Sequence, residues 1–192
     1  MRTLCLAALA ALTLAHPAAA ETADAATLQT LSGTYISPAP EHWYGGFGTR
    51  EFVFANGQWM LIFTHALDPA MTMRTFQFRT GGGYIVGDAS PQVPGAYRTA
   101  FAEDWKHVTL LATDPGLIAA MGMADCALTP NLETDISATG CAAWRPVADC
   151  GTDHDLLALD ASGLRFGVRP PDNDMCTPDK TPTALLPAVI RR

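Results

Sequence analysis

The sequence predicts a mostly β protein, a curved antiparallel meander of about eight to ten short strands with one short helix. Three observations favour this fold class. Runs rich in Val, Ile, Thr, Phe and Leu alternate with turn residues such as Gly, Pro, Asp and Asn. No helical pattern separates consecutive strands, as a parallel β-α-β sheet would require. Hydrophobic residues make up 48% of the 192 residues and charged residues 16%, which suits one folded core.

The N-terminal residues have the features of a secretory signal peptide. A positively charged start precedes an apolar run over residues 4–14, and residues 18–20 supply an A-x-A cleavage site. The run is too short to span a membrane, and no second long run follows. We expect a signal peptide over residues 1–20, a flexible segment or short helix over 21–30, and a single domain over 31–192. The expected location is periplasmic or secreted.

Two hairpins are predicted from turn residues that lie between apolar runs. Within residues 50–65, Asn56 and Gly57 tolerate positive φ and therefore favour a tight turn. Nearer the C-terminus, residues 156–159 and 164–168 flank a second turn. Each pair of runs is expected to form adjacent antiparallel strands.

Further strands surround a run of three glycines. Residues 72–79 alternate apolar and polar side chains, as a half-buried strand does. Gly81, Gly82 and Gly83 predict a turn into a separate strand over residues 84–86. Other strands are expected over residues 31–37, 96–101 and 106–113.

The predicted helix follows the last of these strands. Asp114 is a suitable N-cap and Pro115 suits the first helical position, so we expect a helix that runs to about Gly122. Residues 126–150 lack periodicity and are expected to form a loop held by disulfides. A Pro- and Asp-rich tail and an apolar piece over residues 185–190 complete the chain.

Four cysteines remain once the signal peptide, with its Cys5, is removed. An even number of cysteines in an exported chain indicates disulfides, so two bridges are expected. Three pairings are possible, and we favour the sequential one, which joins Cys126 to Cys141 and Cys150 to Cys176. A zinc site is the rival interpretation, but no C-x-x-C or H-x-x-x-H spacing supports it.

Charge disfavours two classes of partner. The formal net charge is -7, and Lys106 and Lys180 are the two lysines of the chain. A basic stripe is therefore lacking, and neither nucleic-acid binding nor polybasic membrane attachment is expected.

Candidate catalytic and metal-binding residues lack a recognisable pattern. The run from Asp153 to Asp155, with His154 between them, suits either acid–base chemistry or a polar turn, and no G-x-S-x-G motif marks a hydrolase. Residues 172–174 with Asp179 fail the spacing of a calcium loop and are better explained as a solvated loop. None of the mature histidines has metal-ligand spacing to another: His42, His65, His107 and His154. We expect no catalytic residue, metal or cofactor.

Aromatic residues concentrate on the first predicted strands. Strand alternation selects five phenylalanines that face one side: Phe52, Phe54, Phe63, Phe76 and Phe78. An ordinary sheet core is one interpretation. The other is a curved sheet whose concave face does not fill itself and holds an apolar ligand, with nearby methionines adapting to its shape.

The order of landmarks resembles a known domain family. These landmarks are L-S-G-T-Y-I-S (31–37), T-R-E-F-V-F (49–54), T-F-Q-F-R-T-G-G-G-Y (75–84), V-P-G-A (93–96), V-T-L-L (108–111), D-L-L-A-L (155–159), F-G-V-R-P (166–170) and M-C-T-P-D-K-T-P-T-A-L (175–185). This succession resembles the domain of the adenomatosis polyposis coli down-regulated family, cell-surface Wnt antagonists of animals that have bacterial relatives. The resemblance covers roughly residues 31–189.

The resemblance implies a barrel or half-barrel with a helix and a hydrophobic cavity that accepts an acyl chain. The animal members have two such domains and a membrane anchor, whereas we expect one domain and no anchor here, and two cysteines of the animal pattern are missing near residues 40–41 and 68. Because Wnt ligands do not exist in bacteria, only lipid handling, not Wnt antagonism, is expected to carry over to a bacterial relative.

Three functional hypotheses follow. The favoured one is non-enzymatic binding of a lipid, acyl chain or other hydrophobic small molecule by the five phenylalanines. The alternative is a protein-interaction or inhibitor module with a filled core, whose loops near Trp43, Tyr44 and residues 172–174 engage an unidentified partner. The third is an enzyme that uses His154 or another histidine with a nearby aspartate, and we do not favour it.

Overall fold

A nearly closed antiparallel β-sheet, curved into a barrel with one seam, forms the body of this computed structural model, which describes residues 22–192. The predicted fold class and the predicted sheet curvature are therefore confirmed. The predicted signal peptide, residues 1–20, lies outside the described residues. The strands are β1 (Gly33–Ile36), β2 (Glu41–Trp43), β3 (Gly46–Ala55), β4 (Gln58–Ala66), β5 (Arg74–Ala89), β6 (Tyr97–Ala102), β7 (Trp105–Leu110), β8 (Glu133–Asp135), β9 (Thr152–Asp160), β10 (Gly163–Phe166) and β11 (Ile190–Arg191).

Neighbouring strands of the barrel follow one another in the order β10-β9-β6-β5-β4-β3-β1-β11. Both predicted hairpins are present, as β3–β4 and as β9–β10. Asn56 and Gly57 have φ values of 53° and 75°, the positive values that a tight hairpin turn of this kind requires. Most of the barrel is therefore the predicted meander, because consecutive strands pair.

The predicted turn at the three glycines is wrong, because β5 is one continuous strand of 16 residues. Glycine is needed here for close approach of other backbone rather than for a turn. A Cβ atom on Gly81 would lie 2.6 Å from the Trp59 carbonyl oxygen, and one on Gly82 would lie 2.5 Å from the Ala102 carbonyl oxygen. The glycines thus allow neighbouring backbone to cross closely over β5.

The sheet forks beside these glycines. Strands β6 and β7 lie one after the other along the same edge of β5, with Tyr84 opposite Phe101 and Gly81 opposite Trp105. Beyond that edge they diverge, since β6 pairs with β9 in the barrel while β7 pairs with β8. This branch departs from a simple meander. Apolar side chains of β6 and β9 pack in one core, and those of β7 pack in another.

The C-terminal segment, residues 185–192, crosses the seam between β10 and β1. Leu164 and Val189 exchange two backbone hydrogen bonds of 2.9 and 2.8 Å. On the other side of the segment, Tyr35 pairs with Arg191. The apolar piece predicted at the end of the chain therefore completes the barrel wall.

Two short α-helices are present within residues 22–192. Helix α1 (Ala25–Gln29) lies in the segment expected to be flexible or a short helix, and it packs against the barrel through the fully buried Leu28. The Tyr84 hydroxyl donates to the Leu28 carbonyl over 2.9 Å. Helix α2 (Pro115–Ala120) is the predicted one, and its first turn is capped by Asp114. A single 3-10 turn, Pro178–Lys180, lies near the C-terminus.

Both predicted disulfides are present with the favoured pairing. One bridge joins Cys126 to Cys141, and the other joins Cys150 to Cys176. The first bridge holds the long loop after α2, where the short strand β8 interrupts the predicted irregular region. The second holds the loop that follows Phe166.

Buried apolar side chains form three clusters within residues 22–192, of which two are large and the third is a small one around Leu156. The barrel core packs Phe52, Phe54 and Trp59 with residues of β6, β9 and β10. The loop-side core packs Phe63, Phe76 and Phe78 of β4 and β5 against β7 and the loop held by the first disulfide. Leu61 contacts both cores, so the space between them is bounded by apolar side chains on two sides.

Candidate functional site

A cavity lies where the barrel core meets the loop-side core. Its volume is about 50 Å³, which is room for a few water molecules. Its wall is formed by residues from both cores and from the loop after β10: Trp43, Tyr44, Arg50, Phe52, Trp59, Leu61, Phe63, Phe78, Phe101, Glu103, Trp144, Asp153, Asp155, Phe166, Gly167, Arg169, Asn173 and Leu186. Apolar side chains therefore surround a small number of charged ones.

The aromatic wall is held together by ring contacts between distant parts of the chain. Phe52 stacks on Phe166 with ring centroids 3.8 Å apart. On the opposite side, Phe78 stacks on Trp144, which the first disulfide loop carries, at 4.7 Å. These pairs fix the positions of β3, β10 and the loop around the cavity.

Three of the five predicted phenylalanines line the cavity, namely Phe52, Phe63 and Phe78. Phe54 lies outside the lining, where it contacts Tyr84 edge-to-face at 5.2 Å on the side that α1 covers. Phe76 stacks on His65 at 5.1 Å. Alternation along the strands places all five side chains on the buried face of the sheet. Only those at the level of the cavity along the strands line its wall.

The acidic run of β9 contributes two carboxyl groups to the cavity. Asp153 and Asp155 are each 5% exposed, and both line the wall. His154 is half-buried and is not part of the lining. The run is therefore strand rather than the polar turn considered from the sequence, and strand alternation sends its two aspartates inward.

Most charged groups of the cavity are paired. Arg169 Nη2 contacts Asp153 Oδ2 at 2.7 Å. Glu103, at the fork of the sheet, contacts Lys106 Nζ at 2.8 Å. Lys106 also donates to the carbonyl oxygen of Cys150 over 2.7 Å, so this buried ion pair is tied to the second disulfide.

Arg50 forms the third pair on the far side of the cavity. Its Nε and Nη2 donate to the two carboxylate oxygens of Glu41 over 2.9 and 2.7 Å. Nη2 also donates to the carbonyl oxygen of Pro187 in the C-terminal segment. The remaining nitrogen, Nη1, is buried and has no hydrogen-bond partner within residues 22–192.

Asp155 differs from these groups because it forms no ion pair with any residue that the structure describes. Its Oδ1 accepts from the backbone N–H groups of Leu156 and Gly167 over 2.6 and 2.8 Å. Burial raises the pKa of Asp155 to about 7, although nearby Arg169 opposes the shift. Burial, with the Asp153 charge, also raises the pKa of Glu103 to about 7.

Tyr44 and Asn173 meet at the rim of the cavity. The Tyr44 hydroxyl donates to Asn173 Oδ1 over 3.3 Å, and Arg169 Nε donates to the same oxygen over 2.7 Å. Tyr44 is 47% exposed. Both residues have positive φ, 48° and 57°, a conformation that side-chain-bearing residues adopt at a cost. This contact joins the β2–β3 turn to the loop held by the second disulfide.

The charged residues of the cavity other than the Asp153–Asp155 run were not recognised as site residues from the sequence. Arg50, Glu103 and Arg169 lie far apart in the chain and belong to no motif. One available indication was that alternation in the predicted strands sends Arg50 to the same side as Phe52 and Phe54. A charged side chain on an apolar face needs a buried partner, which suggests a polar site.

The other histidines and acidic residues are distributed elsewhere. His107 lies near Glu133 and Asp135 at the β7–β8 edge. Asp174, from the loop considered for calcium, lies 3.6 Å from Lys180. Over the described range, residues 22–192, no cluster of three or more His, Cys, Asp or Glu side chains is arranged to hold a metal ion. No helix within the same range is long and apolar enough to cross a bilayer.

Comparison of the chain with known protein families and with curated proteins finds no match.

Proposed function

We propose that this protein binds a lipid acyl chain or a similar apolar small molecule in the cavity, without changing it chemically. The observation that carries the proposal is the shared wall of the two cores. Phe52, Phe63 and Phe78 border a space that the side chains do not fill. Apolar lining with a few convergent polar groups is typical of small-molecule sites.

The driving force would be transfer of apolar surface from water. Each methylene group that the cavity buries contributes about 0.8 kcal/mol before the costs of association. The present volume of about 50 Å³ is below that of ordinary ligand sites, roughly 300–1,000 Å³. Binding therefore requires the wall to open, and the Tyr44–Asn173 contact at the rim is the place where a single hydrogen bond spans two loops.

Two further proposals accompany this function. The disulfides are compatible with an oxidising compartment, and we propose that the protein acts in a periplasm or after secretion. We also propose that the chain is related to the adenomatosis polyposis coli down-regulated family. The order of its motifs and its curved antiparallel sheet support that relationship.

The direct test is mass spectrometry of an organic extract from protein prepared without detergent. We expect one amphiphile with an acyl or similar apolar chain, whatever its end group, at near one molecule per protein. A fluorescent probe with an apolar chain and an uncharged end group should then compete with the extracted compound. An empty extract together with no fluorescent binding would contradict the proposal.

A pair of variants on one strand ties that binding to the cavity. Leu61 lines the wall, whereas its neighbour Ile62 lies on the opposite face of β4. Leu61→Trp should fill the space and weaken binding by about tenfold or more, a loss of about 1.4 kcal/mol. Ile62→Trp should bind as the parent does. Equal ligand affinity of the Leu61→Trp and Ile62→Trp variants would show that the ligand binds outside this cavity.

The small volume favours one alternative, a protein-interaction module whose core is effectively filled. Exposed apolar side chains at one end of the sheet would then form the contact surface, among them Leu67 and Met73 of the β4–β5 turn. This alternative expects no extractable ligand and no effect of Leu61→Trp on partner binding. The same two measurements therefore separate it from ligand binding.

A further inference from the structure

An unpaired carboxyl group lies in the wall of the apolar cavity. Asp155 is 5% exposed, and the backbone donors of Leu156 and Gly167 both use its Oδ1. Its other oxygen, Oδ2, makes no hydrogen bond within residues 22–192. Oδ2 is not one of the fully enclosed atoms without a partner in the described chain, so it borders open space and is available to a group that enters the cavity.

The other cavity charges balance one another. Asp153 is paired with Arg169, and Glu103 is paired with Lys106. Arg50 is paired through Nε and Nη2 with the Glu41 carboxylate, which is 13% exposed. When Asp155 is ionised, its negative charge is therefore the one that these ion pairs do not balance.

From this arrangement we infer that the ligand ends in a hydrogen-bond donor, best of all a protonated amine, which binds Asp155 Oδ2 while its apolar chain lies against the aromatic wall. The inference rests on the proposed function, because it names the polar end of a ligand for the same cavity. A carboxylate end is disfavoured, since Asp155 and Asp153 would repel it. An uncharged hydroxyl end is accepted less well than an ammonium.

The aromatic rings of the cavity fit the same class of ligand. Trp43, Trp59 and Trp144 all line the wall, and the face of an indole ring attracts a cation. Arg50 already lies 5.8 Å from the Trp43 ring, and Phe78 stacks on one face of Trp144. Trp59 is therefore the indole of the three without such a neighbour among the described residues. The feature that opposes the inference is Arg50 Nη1, a buried donor without a partner in the described chain. An anionic ligand would bind there, so an anionic probe belongs in the test.

Proton uptake by Asp155 makes the preference dependent on pH. The charged groups that face Asp155 are Asp153 of its own strand and Arg169 of the loop after β10. Arg169 in turn faces Glu103 and Tyr44. Since the pKa of Asp155 is about 7, a large part of its negative charge is absent at slightly acid pH. The preference for an amine should then decrease.

The test compares three probes with the same apolar chain: decylamine, decanol and decanoate. Titration calorimetry at about pH 8, where Asp155 is mostly ionised, should show decylamine binding about tenfold tighter than decanol. Decanoate should bind most weakly. Asp155→Asn keeps an oxygen that accepts from the backbone donors, and it should remove the amine preference while decanol binding stays similar.

Asp160→Asn is the matched control, because it removes one negative charge from the same strand outside the cavity lining. It should retain the amine preference. Decanoate binding as tightly as decylamine, or an unchanged preference in Asp155→Asn, would overturn the inference while leaving apolar ligand binding intact. If no probe binds whatever its end group, the proposed function fails and the inference fails with it. Should Asp155→Asn not fold, the parent alone decides, because its amine preference must decrease at about pH 5.5.

Discussion

Asp155 and Glu103 are carboxyl groups that lie buried in the protein, and burial destabilises their ionised forms. Their pKa values are raised to about 7 from the ordinary 3.8 and 4.5. In the unfolded chain both groups therefore lose their protons at lower pH than in the folded protein. Between these limits the two groups bind more protons in the folded state, so their contribution to the free energy of unfolding decreases as pH rises.

We predict that stability falls between about pH 4 and about pH 7 and that Asp155→Asn removes part of this fall. The full pKa difference of Asp155 corresponds to about 4 kcal/mol, which is an upper value for the part removed. Urea unfolding at several pH values in this range measures it. Parallel profiles for the parent and Asp155→Asn would show that the carboxyl group ionises normally in the folded protein.

Individual residues were predicted from the sequence to different degrees. The five phenylalanines are buried as alternation indicated, because the period of a strand decides which face a side chain takes. The lining of the cavity was not predictable, since Arg50, Glu103 and Arg169 come together only when the sheet curves. The alternation of residues in a sequence predicts which face of the sheet a side chain takes. It does not predict how close two strands lie when they are far apart in the chain.

Strand β5 shows where local sequence rules mislead. Three consecutive glycines ordinarily indicate a turn, yet here they lie within a strand that carries both branches of the sheet. The prediction of the two hairpins was confirmed, because their turns depend only on local backbone conformation. The fork was not predicted, because it depends on how closely Ala102 and Asp104 approach β5, which is a property of the assembled sheet.

Adjacent glycines of β5 should respond differently to the same substitution. A Cβ atom on Gly82 would lie 2.5 Å from the Ala102 carbonyl oxygen, so we expect Gly82→Ala to destabilise by about 1–3 kcal/mol. On Gly83 the nearest atom is Gln58 Nε2 at 3.6 Å. Gly83→Ala should change stability by less than about 1 kcal/mol, with stabilisation the expected direction. Thermal unfolding of both variants decides, and equal losses would mean that the close crossing is absent.

The whole barrel depends on its C-terminal segment. Val189 is fully buried and exchanges backbone hydrogen bonds with Leu164 across the seam. Its neighbour Ile190 is 42% exposed on the other face. The mostly β class and the curvature were predicted, whereas the role of this segment was not, because a short apolar piece has no pattern that identifies its partners.

Val189→Asp should therefore open the seam, with a loss of about 3 kcal/mol or more from an unpaired buried charge. Ile190→Asp is the control and should cost less than about 1 kcal/mol because that side chain is exposed. Chemical unfolding measures the loss, and binding of a dye specific for exposed apolar surface reports the opening. Similar values for the two variants would show that the segment does not seal the barrel.

The position of the sealing segment in the chain has a consequence for biosynthesis. Strand β1 emerges from the ribosome early, but its partner β11 emerges after every other strand of the barrel. Until then one edge of β1 presents unpaired N–H and C=O groups, which can pair with a second nascent chain. Closure of the barrel thus depends on the strand that is made after the others, and until it pairs, the open edge of β1 is exposed to wrong pairing.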